Sequence, residues 1–152
     1  MTEAEWLVCE DLRALLDFYA AKASQRKLRL FAAACCRRIW PLLTDRWSRE
    51  AVETVENYAD DRADRHDFAV ARETAEEALR WAGQRAADPA AQEDAVAAAR
   101  AAHAATLESP PEAARCAARH AAAAGREDNW INGVSRHPAF AAPREHVNRS
   151  LH

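Results

Sequence analysis

The stretch Ser24–Leu43, SQRKLRLFAAACCRRIWPLL, decides the fold. It holds the densest run of large apolar residues, two adjacent cysteines and a cluster of basic side chains. At about 100° per residue, Leu28, Phe31, Ala32, Cys35, Ile39 and Leu42 share one face of a helix. Lys22, Arg26, Arg29, Arg37 and Trp40 gather on the opposite side if the helix reaches back to Lys22. Ser24 can cap the start instead, which sets Lys22 just outside. Arg37 and Arg38 lie near the C-terminal end, where cations oppose the helix dipole. Pro41 removes a backbone donor, so the helix should kink or stop near Trp40. The stretch reads as a central helix with one face for the core and one basic face.

The segments on either side fit that reading. Thr2-Glu3-Ala4-Glu5 is a capping box followed by Trp6 and Leu7. Asp11 to Ala23 carries Leu12, Leu15, Leu16, Phe18 and Tyr19 at helical spacing, and is expected to form an antiparallel hairpin with the central helix. Thr44 or Asp45 should cap a helix to about Asp61, with Trp47, Ala51, Val55 and Tyr58 near one face and Val52 and Ala59 beside them. Asp60 to Asp67 suits a loop. Asp67 is then expected to cap a helix to about Ala86, with Phe68, Ala71, Ala75, Ala78, Leu79 and Ala82 inward.

Asp88-Pro89 and Ser109-Pro110 each pair a cap with a proline at the first helical position. The second of these helices should end at Gly125. Both carry almost only alanine inward. Alanine favours helix but buries little area, so these two must pack closely or stay marginal. From Arg126 on, Asn, Gly and Pro indicate loops and short turns. Trp130, Ile131, Val134 and Phe140 are placed to fold back onto the bundle, and Arg144 to His152 is polar.

The expected fold is therefore one all-α domain, a bundle of about five to seven helices, mainly up-and-down. It comprises residues 1–125, with 126–152 as an irregular C-terminal tail. A length of 152 residues suits one domain with a real core, and only 3 Gly and 6 Pro occur. The net charge of −3 is uneven. Residues 51–100 hold 6 basic and 12 acidic groups, yet no acid falls between Asp17 and Asp45. A basic element beside an acidic one differs from a generally basic nucleic-acid binder. The four cysteines form no CxxC pair. The acidic N-terminus lacks the apolar stretch of a signal peptide, and no apolar run is long enough for a membrane span. A cytoplasmic protein with reduced thiols is expected.

The opening resembles a large bacterial family of uncharacterised paralogues. The matching residues are MTEAEWL from Met1, KASQRKLRLFAAACCRRIW from Lys22 and LLTDRWSREAVETVENYAD from Leu42, within roughly the first 60 residues. The resemblance implies a helical domain in a bacterial cytoplasm and carries no activity, substrate or cofactor. Family members continue past an alanine-rich middle into a second half, whereas this chain has its own Trp130–His152 tail.

Five features could carry chemistry. The basic stripe of Lys22, Arg26, Arg29 and Arg37, with Trp40 at its end and Lys27 and Arg38 flanking, could meet phosphates or an acidic partner. Alternatively, the acidic helices after Asp45 lie alongside and pair with it. Cys116 and His120 sit four apart, with His103 on the preceding helix, a spacing compatible with a metal but without a fourth ligand. Cys36 beside Arg37 and Arg38 invites a reactive-thiol reading, against which stand the apolar face and the lack of a nearby histidine. Glu53, Glu56 and Asp60 share a helical face that either holds a divalent cation or is a solvated face or the partner of the stripe. Trp6, Trp40, Trp47, Trp81 and Trp130 either fill gaps between alanine-rich helices or anchor a partner.

No catalytic, cofactor-binding or metal motif emerges, so no cofactor is expected. The leading expectation is a non-enzymatic helical interaction module that binds a protein partner or itself. The alternative is a nucleic-acid-associated accessory protein using the stripe. No membrane partner is expected.

Overall fold

The computed structural model describes residues 11–84 and 88–125, together with Thr2, Glu5, Val8 and Cys9. Among these lie six α-helices, one 3-10 turn and no strand. They are α1 (Leu12–Lys22), α2 (Gln25–Arg38), α3 (Arg46–Ala59), α4 (Arg65–Trp81), α5 (Pro89–Ala105) and α6 (Pro110–Gly125). The 3-10 turn, Trp40–Leu42, follows α2. The protein is all-α, and the expected tail from Arg126 lies outside the described residues.

Caps set most boundaries. The Asp11 carboxylate accepts from the Arg13 and Ala14 N–H groups, and Ser24 Oγ accepts from Lys27 N–H. Asp45 accepts from Ser48 N–H, and Asp88 from Ala91 N–H with Pro89 beginning the helix. These side chains satisfy donors that the first turn leaves without helical acceptors. Thr2 and Glu5 exchange the two bonds of a capping box, at 2.7 and 3.2 Å. Asp64, not Asp67, caps α4. Asp67 is the answering third residue of a reciprocal box, accepting from Asp64 N–H at 3.0 Å. The helix therefore starts three residues earlier than expected, and it stops at Trp81 rather than near Ala86. Gly83 follows at φ +82°, and a Cβ there would lie 2.6 Å from Gln92 Cγ.

The end of α3 shows how a charged loop can be well defined. Asp61 adopts φ +56°, Arg62 N–H donates to Asn57 C=O at 2.8 Å, and Asp61 N–H to Tyr58 C=O at 3.2 Å. That pairing is a Schellman motif with aspartate in the place usually taken by glycine. It reverses the chain tightly, so α3 and α4 pack as an antiparallel pair. The turn at residues 106–109 likewise folds α6 back on α5, the most extensive contact among the described helices.

Helix α2 is the central element. Leu28, Phe31, Ala32, Ala33, Cys35 and Cys36 are buried along it, and Ile39 just beyond. It packs against α3, α5 and α6 together, so burial extends past one face. It ends at Arg38, before Pro41, and Pro41 instead enters the 3-10 turn. Each large side chain in this core contributes on the order of 1.5–3 kcal/mol. The expected α1–α2 hairpin is not the main contact of α1. Ala23 and Ser24 are both extended, and α1 lies chiefly on α6, with Arg115 Nη1 2.7 Å from Asp17 Oδ1.

Candidate functional site

The residues of the expected basic stripe divide into three environments, and Ser24 caps α2, so Lys22 ends α1 and lies outside the central helix. Lys22 is exposed, with Nζ 4.5 Å from the centre of the Phe18 ring. Arg26 reaches across to the end of α3, where its Nε and Nη2 donate to Asp60 Oδ1 at 3.1 and 2.5 Å. Arg37 pairs with Glu56 through two parallel bonds, Nε to Oε1 at 2.9 Å and Nη2 to Oε2 at 2.7 Å. Those bonds raise the Arg37 pKa. The guanidinium also lies 4.1 Å from the Trp40 ring, which Arg49 approaches too, at 5.3 Å. The acidic helix α3 thus lies alongside two members of the stripe, and Glu56 and Asp60 serve as their partners.

Arg29 does not belong to an exposed stripe at all. It is 8% exposed, over the Phe68 and Tyr58 rings at 4.5 and 5.3 Å. Its Nη1 and Nη2 donate to the Leu107 and Glu108 carbonyls at 3.2 and 2.9 Å. Burial lowers its pKa, while Tyr58 and Glu108 oppose that shift. A helical wheel places Arg29 opposite Phe31, but α2 is enclosed on more than one side. Its guanidinium therefore takes carbonyl acceptors at the α5–α6 turn.

Cys35 and Cys36 are packing residues by environment. Both are buried and free. Burial pushes the Cys36 thiol up to about 12, with Glu56 adding to the rise and Arg37 opposing it. Cys35 is also pushed well up, chiefly by burial. Both stay protonated near neutral pH, whereas a reactive thiol needs its thiolate. Cys116, His120 and His103 lie on the packed pair α5 and α6. Among the described residues, however, no group of three or more His, Cys, Asp and Glu side chains is arranged to hold a metal. Burial lowers the pKa of both histidines.

A different surface emerges on the α3–α4 pair. Its inner side is set by Ser48, Val52, Val55 and Ala59 on α3 and by Phe68 on α4, all buried. Ala51 meets Ala71 and Ala75 in a small seam between the two helices. Beyond that seam Trp47 and Thr54 follow the Ala51 spacing on α3, and Val70, Thr74, Glu77 and Trp81 form a row on α4. In an antiparallel pair these two rows face the same way, outward. Trp47 is 49% exposed, Val70 44% and Trp81 56%.

Trp47 was expected to point inward. The inner face instead centres between Val52 and Val55, which leaves Trp47 on the outer side of the seam. Trp81 Nε1–H donates to Glu77 Oε1 at 2.7 Å, which ties the indole against its own helix. The sequence signal for this surface is the apolar Val70 and Trp81 displaced to one side of the Ala71–Ala75–Ala78 stripe. Trp6 and Trp130 lie outside the described residues.

Exposed Glu50 and Glu73 flank the two rows, and half-buried Glu77 lies within the α4 row. Arg46 and Arg80 are the cations among them. Arg46 pairs with Glu50 at 2.5 Å, and Arg80 with Glu76 and Glu77 at 2.8 and 3.1 Å. Among the described residues no helix is long and apolar enough to cross a membrane. Comparison with protein-family models, with curated proteins and with solved structures finds no match.

Proposed function

We propose that this chain is a helical interaction module that binds another protein and performs no catalysis of its own. The observation that carries the reading is the outer face of α3–α4. Trp47, Val70 and Trp81 stand about half exposed there while the inner face of the same pair is closed. Apolar patches rimmed by polar groups mark interaction sites on soluble proteins, and tryptophan is prominent among binding anchors. The alanine rows of α5 and α6 offer no such surface, because they are buried against one another and against α2. The resemblance of the first 60 or so residues supports a bacterial, cytoplasmic setting.

The nucleic-acid alternative draws little support from the stripe. Arg29 is buried, and Arg26 and Arg37 are engaged by Asp60 and Glu56. A photo-crosslinking side chain placed at Val70 in cells should yield one discrete protein adduct. The same group at exposed Arg13 on α1 should not. Equal labelling from both positions, or none from Val70, would count against the reading.

A further inference from the structure

We infer that the outer α3–α4 face takes a basic amphipathic helix of a partner protein. This rests on the binding reading above and specifies the chemistry of the partner.

The strongest argument is internal. Helix α2 is itself an apolar and basic helix, and it packs on the inner side of α3, the first helix of that pair. It seats Leu28, Phe31 and Ile39 in the core while Arg26 and Arg37 reach Asp60 and Glu56 on α3. The outer side offers the same two elements, an apolar strip and bordering carboxylates. Glu50, Glu73 and Glu77 outnumber Arg46 and Arg80 there, with Arg46 held by Glu50 and Arg80 divided between Glu76 and Glu77. An acidic helix would add negative charge beside that border. A basic helix would pair with those carboxylates.

Shape agrees with charge. The row from Val70 to Trp81 covers about 16 Å at helical rise, or about three turns. Thr54 and Thr74 are small side chains within the two rows, and the Ala51–Ala71–Ala75 seam underlies them. A third helix can therefore approach closely between Trp47 and Trp81 at one end and Val70 at the other. It would present apolar residues at i, i+4, i+7 and i+11, with lysine and arginine at the flanks.

The test uses the whole chain and a labelled helical peptide of about 16 residues, with leucines at that spacing and lysines and arginines elsewhere. Fluorescence anisotropy should show saturable one-to-one binding. Trp47→Ala combined with Trp81→Ala should weaken it at least about tenfold, as expected for central anchors. Glu50→Gln combined with Glu73→Gln should weaken it and flatten its salt dependence. Arg13→Ala should leave it unchanged. Circular dichroism and thermal melts verify that every variant is folded.

Three outcomes overturn the proposal. The first is equal binding of a peptide in which glutamates replace the basic residues. The second is undiminished binding to the folded double tryptophan variant. The third is sedimentation showing a dimer that the same variant abolishes, which assigns the face to a second copy. If Val70 crosslinks a protein but the basic peptide does not bind, the binding reading stands and the basic-helix assignment falls.

Discussion

The two antiparallel pairs, α3–α4 and α5–α6, solve the same packing problem in opposite ways. In α5–α6 every buried hydrophobic residue is alanine, six on each helix. Small side chains let the backbones approach closely, so many weak contacts replace a few large ones. In α3–α4 the inner face uses Val52, Val55, Phe68 and the Tyr58–Phe68 ring pair at 4.5 Å. Its seam is alanine, and its outer face leaves two tryptophans half in water. The alanine pair is thus closed upon itself and α2, whereas the other pair has a second face to offer. High alanine content does not identify the interacting surface here. The large residues left over beside an alanine stripe do.

The largest expected effect lies where the two pairs meet. Arg29→Ala removes the donors to Leu107 and Glu108 and empties the space beside Tyr58 and Phe68. Unfolding by urea should show a loss of about 3 kcal/mol, the scale of two charge-assisted bonds plus lost packing. A loss under about 0.5 kcal/mol would mean that the pairs are not joined through this side chain.

Volume changes then separate the pairs. Ala117 has no exposure, so Ala117→Leu should cost about 2–3 kcal/mol by forcing α5, α6 and α2 apart. In α3–α4 the sensitive direction is reversed. Val52→Ala should cost about 2 kcal/mol from two lost methyl groups and the space they leave. Tolerance of Ala117→Leu would break the contrast between tight and large-residue packing.

Acid should weaken the alanine pair through its two histidines. His103 and His120 have pKa values below the ordinary 6.5, mainly because burial disfavours the imidazolium. Arg72 beside His103, and Arg119, Arg100 and His103 beside His120, act in the same direction, while Glu76 opposes it at His103. Protons therefore bind the unfolded chain first. The stability in question is whole above about pH 6.5 and is lost as pH falls through the lower folded values. Thermal melts between about pH 7.5 and 5.5 should show the fall, and His103→Gln with His120→Gln should flatten it.

The smallest effect belongs to Ser48. Its Oγ is buried with no hydrogen-bond partner, although its N–H is held by Asp45 at 2.6 Å. Ser48→Ala should change stability by less than about 0.5 kcal/mol or raise it slightly, because no bond is lost. A loss above 1 kcal/mol in the same urea titration would reveal a partner for the hydroxyl.

Helix identity was legible wherever local chemistry alone sets it. Ser24, Asp45 and Asp88 cap as their types suggest, and Leu28, Phe31, Cys35 and Ile39 follow one period into the core. Asp64 was missed because two aspartates three residues apart can each cap, and the reciprocal bonds favour the first. The stripe was less legible because a wheel assigns faces without counting neighbours. A helix packed on three sides has no fully free face, so Arg29 went inward. Trp47 turned outward for a related reason: the α3 face is set by the combined demand of α2 and α4. Such partner-dependent choices are tertiary and leave little trace in the period of one helix.

Arg29 also bears on the order in which the chain assembles. Its two hydrogen bonds join residues 78 and 79 positions apart, whereas each antiparallel pair is closed by a short turn. Local pairs close their loops at small entropic cost and form early, so a tie of such long range comes late. Losing it should then leave the refolding rate almost unchanged and appear in the unfolding rate. A single side chain would act as the latch that sets how long the native state lasts, long after both pairs have formed.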